Sequence, residues 1–272
     1  MESKFVTINQ RQINRLGVCD SGVGGLSILH ALLPLGIPEY IYVADTANVP
    51  YGDKSPEEIQ GLAVSLIEFL VEQHVDAIVI ACYTMCSVAL DLLKERFPNI
   101  LFIEIIDGTI EQAGSYTKNN KIGIIATQAT VNSGLFINKF RGYNSELEIF
   151  QKACPQLVPL IEQYPMDHQS IKHTLKMNLT SLILREIDTL VLGCTHYILI
   201  QSIIKEVVGY RIALAHVQQN TKRLVESLLH ENRNKVSAPN VKIYVTGDKN
   251  KFFDPYQLTT GCNIKQATIF LP

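Results

Sequence analysis

The sequence predicts an α/β protein made of two pseudosymmetric α/β domains with mainly parallel sheets and an active site in the cleft between them. Three observations carry this expectation. Strand-like runs of about five residues alternate with helical stretches, the βαβα order that builds a parallel sheet. Many of these runs are apolar throughout rather than alternating, as strands covered on both faces are. Part of the chain also repeats: Asp, any residue, Ile/Leu, Val, Ile/Leu, a small residue and Cys occur at Asp76 to Cys82 and again at Asp188 to Cys194.

The elements follow in order. LGVC at 16–19 reads as the first strand, and a glycine-rich turn leads from it into an apolar helical run, Leu26 to Leu33. A second strand is expected at 40–44. Ser55-Pro56-Glu57-Glu58 opens a helix over 56–73, with Ser55 as cap and Pro56 at the first position, where its missing N–H costs nothing. Strand 76–81 ends at Cys82, and a helix over 85–97 is stopped by Pro98. Strand 101–105 closes the first half. IGIIAT at 122–127 echoes LGVCDS at 16–21, which places a corresponding strand at 121–126 in the second half. Strands at 189–193, 211–215 and 241–245 complete the set. The expected first domain is 1–105 plus 216–272, the last strand and helix returning to it, and the second domain is 106–215.

Bulk composition narrows the function. Of 272 residues 47% are hydrophobic and 18% charged, and the net charge is −2, so nothing favours direct nucleic-acid or anionic-membrane binding. No apolar run approaches the roughly 20 residues of a membrane span. The start, MESKFVTINQRQINRLG, has no secretory core and reads as a short polar tail. A cytoplasmic location is expected, and there the six cysteines stay reduced.

Active sites in parallel sheets lie beyond the carboxyl ends of the strands, and the motifs cluster there. DSGVGGLS, Asp20 to Ser27, is a strand-to-helix turn whose N–H groups suit an anion. Gly22, Gly24 and Ser27, with Asp45 further on, approximate a dinucleotide fingerprint that lacks its third glycine. Pro50-Tyr51-Gly52 forms a rigid turn after a strand end. Cys82 sits at a strand tip before a helix, a place expected to lower a thiol pKa. Cys194 has the same place, with Thr195 and His196 directly after it. Cys82 and Cys86 have no second pair to complete a zinc site. Cys86 and Cys19 read as core thiols, and Cys154 and Cys262 have no site context. Two thiols at mirrored strand tips suit proton removal from one face of a substrate carbon and proton return to the other, which is stereoinversion. The carbanion between the two steps needs polar groups around its carboxylate.

These residues carry a resemblance. DSGVGGLS, ADTANVPYG, AC-x-T, GIIATQATVNSGLF, ACPQLVPLIE and LGCTHY stand in the order of the signatures of the glutamate racemases, within the aspartate/glutamate racemase superfamily, and VTGDKNKFF at 245–253 also fits. The match runs over about 15–255. The resemblance implies that Cys82 and Cys194 are the two acid/bases, that Asp20 assists the first and His196 the second, and that Glu162 belongs to the site. It implies that Ser21, Pro50, Tyr51, Gly52, Tyr83, Thr84, Thr127, Thr130 and Thr195 surround the amino acid. It implies glutamate as the partner, D-glutamate for peptidoglycan as the product, no metal or other cofactor, and a homodimer among the assemblies.

Three departures stand out. The family's A-C-N-T-A-S is here Ala81-Cys82-Tyr83-Thr84-Met85-Cys86, so Tyr83 replaces a substrate-contacting asparagine. A phenol is larger and has one donor, and weakened affinity for glutamate is expected. Ile198 replaces the proline after GCTHY. LAHVQQN, 214–220, lacks an acidic-Ser pair, a change expected to touch a helix start rather than chemistry. Beside glutamate racemisation, the residues leave open a related racemase or isomerase of another substrate, a non-catalytic binding protein with DNA gyrase as the implied partner, and a dinucleotide enzyme.

Overall fold

The computed structural model describes residues 12–163, 165–230, 235–248, 252 and 267–269. The expected polar start and Cys262 lie outside them. Two all-parallel sheets organise the chain. The larger is built from β1 (Arg15–Asp20), β2 (Glu39–Ala44), β3 (Ala77–Ile80), β4 (Leu101–Glu104), β9 (Asn240–Val245) and β10 (Ala267–Ile269), in the spatial order β10-β9-β2-β1-β3-β4. The smaller is built from β5 (Lys121–Ala126), β6 (Glu148–Ala153), β7 (Thr189–Gly193) and β8 (Ala213–Ala215), in the order β6-β5-β7-β8. Its order repeats the β2-β1-β3-β4 portion of the larger sheet, so β5 matches β1 and β7 matches β3. Late in the chain, β9 pairs with β2.

The sequence repeat has a local cause in its first residue. Asp76, just before β3, accepts the backbone N–H groups of Asn14 and Arg15 at 2.8 Å each, where β1 begins. Asp188, just before β7, accepts those of Lys118 and Asn119 at 2.6 and 2.8 Å, ahead of β5. Each aspartate fastens the start of one strand to its neighbour and so sets which residues emerge together at the far ends. Those ends are Asp20 beside Ala81-Cys82 in one sheet and Thr127 beside Cys194 in the other.

Helices cover the sheets. α1 (Leu26–Leu32) buries Leu26, Ile28, Leu29 and Leu32. α2 (Pro56–Glu72) starts with a full capping box: Glu58 N donates to Ser55 Oγ at 3.2 Å, and Ser55 N donates to Glu58 Oε2 at 2.9 Å. The helix expected over 85–97 is two, α3 (Tyr83–Val88) and α4 (Leu90–Arg96), broken at Ala89 with φ −117° and ψ −15°. It ends before Pro98 as anticipated. β6 was not expected; EIFQKA is a partly exposed edge strand with charged residues and lacks the continuous apolar run that marks the central strands. The second half adds α5 (Ile106–Tyr116), α6 (Gln128–Asn132), α7 (Leu135–Tyr143), α8 (Leu157–Glu162), α9 (His168–Ile183) and α10 (Gln201–Val208). α11 (Gln218–Leu228) starts without a side-chain cap, where the LAHVQQN departure falls. No helix among the described residues is long and apolar enough to cross a membrane.

The exposed cap on α2 tests the local reading. Ser55→Ala removes the acceptor of the Glu58 N–H, and chemical denaturation should show a loss of about 1 kcal/mol without a change in activity.

Candidate functional site

The carboxyl ends of β1, β3, β5 and β7 converge on one pocket. Ser21, Tyr51, Gly52, Cys82, Tyr83, Thr84, Thr127, Val158, Cys194, Thr195 and His196 line it. Its interior is nearly closed, with about 10 Å³ open to the centre of a water molecule. That is room for about one water.

The loop after β1 wraps around its own aspartate. Asp20 is fully buried and accepts the Ser21 N–H at 2.8 Å, the Gly25 N–H, and the Thr195 hydroxyl at 3.3 Å from the other half of the molecule. Burial pushes its pKa up to about 6, against the opposing influence of the His196 charge and the two amides. Tyr42, on β2, donates from its hydroxyl to Gly22 O at 2.7 Å and holds the turn. The N–H groups expected to take a ligand anion are therefore partly committed to protein carboxylates: Gly25 N to Asp20, and Val23 N to Glu162 Oε1 at 3.1 Å. Gly22 is required by close approach, since a Cβ there would collide with the Glu162 carboxylate and sit 2.8 Å from His196 Nε2.

Cys82 caps α3 with extended backbone, φ −115° and ψ 116°, and its sulfur is 3.7 Å from Ser21 Oγ. The expectation of a lowered thiol pKa does not hold here. Burial and the adjacent Asp20 charge both raise it, because both penalise a thiolate. Cys194 stands in the corresponding place, extended at φ −150° and ψ 134° before a 3-10 turn over Thr195–Ile200. Its sulfur lies 3.8 Å from His196 Nδ1, and His196 Nε2 is 2.5 Å from Glu162 Oε1. Burial alone would favour a neutral imidazole, but the hydrogen bonds and charges of Cys194 and Glu162 hold the His196 pKa well above its ordinary value. Glu162 is driven the other way: burial would raise it, and the pairing with His196 keeps it lowered. The two shifts describe one buried ion pair.

Three threonine hydroxyls form a cluster. Thr84 Oγ1 lies 2.9 Å from Thr127 Oγ1 and 3.3 Å from Thr130 Oγ1, and Thr127 is 2.9 Å from Thr130. Thr130 stands behind the pocket wall and Thr84 and Thr127 form it. Pro50, in a cis peptide with Val49, precedes the 3-10 turn Tyr51–Asp53 that presents Tyr51 and Gly52 to the pocket without lining it itself. A Cβ on Gly52 would lie 2.6 Å from the Thr127 Cβ, so this contact between the halves needs glycine.

Sequence reasoning missed Val158, which lines the pocket from the first turn of α8 and has no polar signature. The weak dinucleotide alternative drew on Asp45. That carboxylate is buried and accepts the Tyr51 hydroxyl at 2.7 Å, the Thr246 hydroxyl at 2.6 Å and the Asn48 amide at 3.0 and 3.1 Å. Its lone pairs are spent inside the protein, which removes the basis for a ribose contact and for the dinucleotide reading. Cys86 and Cys19 are core thiols, directed at Ile80 O and Val79 O at 3.3 and 3.8 Å. Cys154 is also buried, and its carbonyl accepts the Tyr197 hydroxyl at 3.1 Å.

Comparison with known proteins agrees with this arrangement. The family model described as Asp/Glu/Hydantoin racemase matches residues 27–219. A glutamate racemase of Thermoanaerobacter pseudethanolicus is 38% identical over 93% of this chain and 95% of that relative. The crystal structure of glutamate racemase isoform RacE1 from Bacillus anthracis superposes with a TM-score of 0.85 at 28% identity, covering 97% of this chain and 98% of that one. The glutamate racemase of Francisella tularensis, solved in complex with D-glutamate, superposes with a TM-score of 0.84 at 30% identity, covering 94% of this chain and 97% of that one. Two matching sheets whose tips meet at paired cysteines, together with these likenesses, make this chain a member of the Asp/Glu/hydantoin racemase family.

Proposed function

We propose that the protein is a glutamate racemase that interconverts L- and D-glutamate without a cofactor, supplying D-glutamate for peptidoglycan in the cytoplasm. The observation that carries this reading is the placement of Cys82 and Cys194 on one pocket, each at the tip of a matching strand and each with its own helper. One lobe would comprise 1–105 and 216–272, the other 106–215. The relatives named glutamate racemase, one of them holding D-glutamate, support the substrate.

The chemistry follows from the geometry. One cysteine, as thiolate, takes the α-hydrogen as a proton. The electron pair left on carbon is delocalised into the adjacent carboxylate, beside N–H and hydroxyl donors. The other cysteine, as thiol, gives its proton to the opposite face, so the substrate leaves inverted and the two sulfurs have exchanged protonation states. The reverse direction uses the same groups in opposite order. On the Cys194 side the His196–Glu162 pair sets a hydrogen-bonding imidazole beside the sulfur. On the Cys82 side the thiol is neutral at rest, and an arriving α-ammonium would favour its ionisation by charge attraction. Ser21, Thr84, Thr127 and Thr195 supply hydroxyls for the two ends of the amino acid. A pocket with room for about one water admits glutamate only after the lobes part.

Cys82→Ser and Cys194→Ser should each lower racemisation of glutamate by about 10²–10⁴-fold, followed by circular dichroism of the amino acid. Wild-type rates in Cys82→Ser would overturn the two-base assignment. Wild-type protein in deuterated solvent should exchange the glutamate α-hydrogen, and aspartate and other amino acids run in parallel decide between glutamate and another substrate.

As a carboxylate, Asp20 disfavours the Cys82 thiolate but accepts a hydrogen bond from the neutral thiol, and so helps Cys82 as proton donor; once protonated it loses that role. With its pKa near 6, the rate should fall as pH drops below about 6, by about tenfold per unit at the limit, and Asp20→Asn should lose this limb of the profile.

Gly52→Ala places a methyl group against Thr127 and forces the lobes apart. It should reduce kcat/KM for glutamate by about 10²-fold while the thermal midpoint moves little.

A further inference from the structure

Tyr83 follows Cys82 directly and opens α3 in the half built on the larger sheet. Its side chain reaches into the other half. The hydroxyl lies 2.6 Å from Thr109 Oγ1 on α5. Thr109 donates its own hydrogen to Ile105 O at 2.9 Å, so in this pair Tyr83 is the donor and Thr109 the acceptor. The phenol's one hydrogen is thereby spent away from the pocket. The ring meets Phe136 of α7 with centroids 5.7 Å apart, and Phe136 stacks on Phe140 at 6.4 Å. Tyr83 is 1% exposed, yet part of it still lines the pocket beside Thr84.

The place of this contact matters. The chain passes from one sheet to the other between β4 and α5, and Thr109 lies one turn beyond that crossing. The bond ties the first residue of α3 to the helix that follows the crossing. Tyr83 is the first residue of α3, whose N-cap residue is Cys82. The adjacent Thr84 reaches the second half as well, through Thr127 and Thr130.

We propose that Tyr83 is a positioning residue: through Thr109 and Phe136 it latches the pocket shut and holds the Cys82 sulfur in place. It contributes no hydrogen bond to the substrate, and recognition of the amino acid's polar groups falls to the hydroxyls of Ser21, Thr84, Thr127 and Thr195. The kinetic consequence rests on the racemase reading; the latch itself does not.

The experiment compares wild type with Tyr83→Phe, Thr109→Val, Thr109→Ser and the Tyr83→Phe/Thr109→Val double variant. Alkylation of Cys82 by iodoacetamide is followed peptide by peptide by mass spectrometry, and kcat for glutamate is measured alongside. Tyr83→Phe keeps the ring and its packing, so it tests the bond in a folded protein, with the thermal midpoint as control. Tyr83→Phe and Thr109→Val should each speed Cys82 alkylation by about fivefold, the equivalent of one neutral hydrogen bond, and lower kcat by about the same factor. The double variant should go no further than either single one, because both remove the same bond. Thr109→Ser, which keeps the acceptor oxygen, should behave as wild type. The proposal is overturned if Tyr83→Phe alkylates Cys82 at the wild-type rate, or if the two single changes add. Should wild type exchange the α-hydrogen of no amino acid, the racemase reading fails while the alkylation rates still decide the latch.

Discussion

Asp20 carries its carboxylate into the interior, and the cleft is arranged around that group. A buried carboxylate is costly unless it is hydrogen-bonded. Its partners come from three places: the next residue in the loop, the amide of Gly25 at the start of α1, and the hydroxyl of Thr195 from the other half of the molecule. Satisfying one group thus fixes the shape of the glycine loop and pins the second half against the first. The remaining cost appears as the raised pKa of Asp20, which puts its protonation change within reach of mild acid.

The two halves are alike in frame and unlike in chemistry. Asp76 and Asp188 tie their strands in the same way, and Cys82 and Cys194 emerge at equivalent tips. Beyond the tips the symmetry ends. Cys82 stands among a buried carboxylate and a serine hydroxyl; Cys194 stands beside an imidazolium paired with Glu162. The first environment disfavours a thiolate, through burial and the Asp20 charge. The helpers are also interlocked, because Glu162 accepts the amide of Val23 from the glycine loop of the opposite half.

Closure of the cleft is built from small contacts at its rim. Gly52 meets Thr127 with no space for a methyl group, Thr84 meets Thr127 and Thr130 through hydroxyls, and Tyr83 spans to Thr109. None is individually large; each polar bond contributes about 1 kcal/mol. Excluding water from the site strengthens every charge interaction within it, the Glu162–His196 pair above all.

Much of this was written in the sequence. The alternation of apolar runs and helices specified parallel sheets, and the repeated Asp-to-Cys run marked both cysteines and their equivalence, because a strand's period and its tip are local properties. The capping box at Ser55 and Glu58 was legible for the same reason. Edge strand β6 was not, since a strand that pairs on one side need not be apolar, and the break at Ala89 carries no residue that forces it. The direction of the Cys82 pKa was misjudged because position at a strand tip says nothing about burial or about a carboxylate from another strand. The weak dinucleotide alternative could include Asp45 because its partners Tyr51 and Thr246 meet it only in three dimensions. Tyr83 was marked as a departure by its identity, but only the tertiary structure decided where its hydroxyl went, to Thr109 on a helix of the other half. Local patterning determined the frame and the two cysteine-bearing tips; the surroundings of those tips were decided by contacts between residues far apart in the chain.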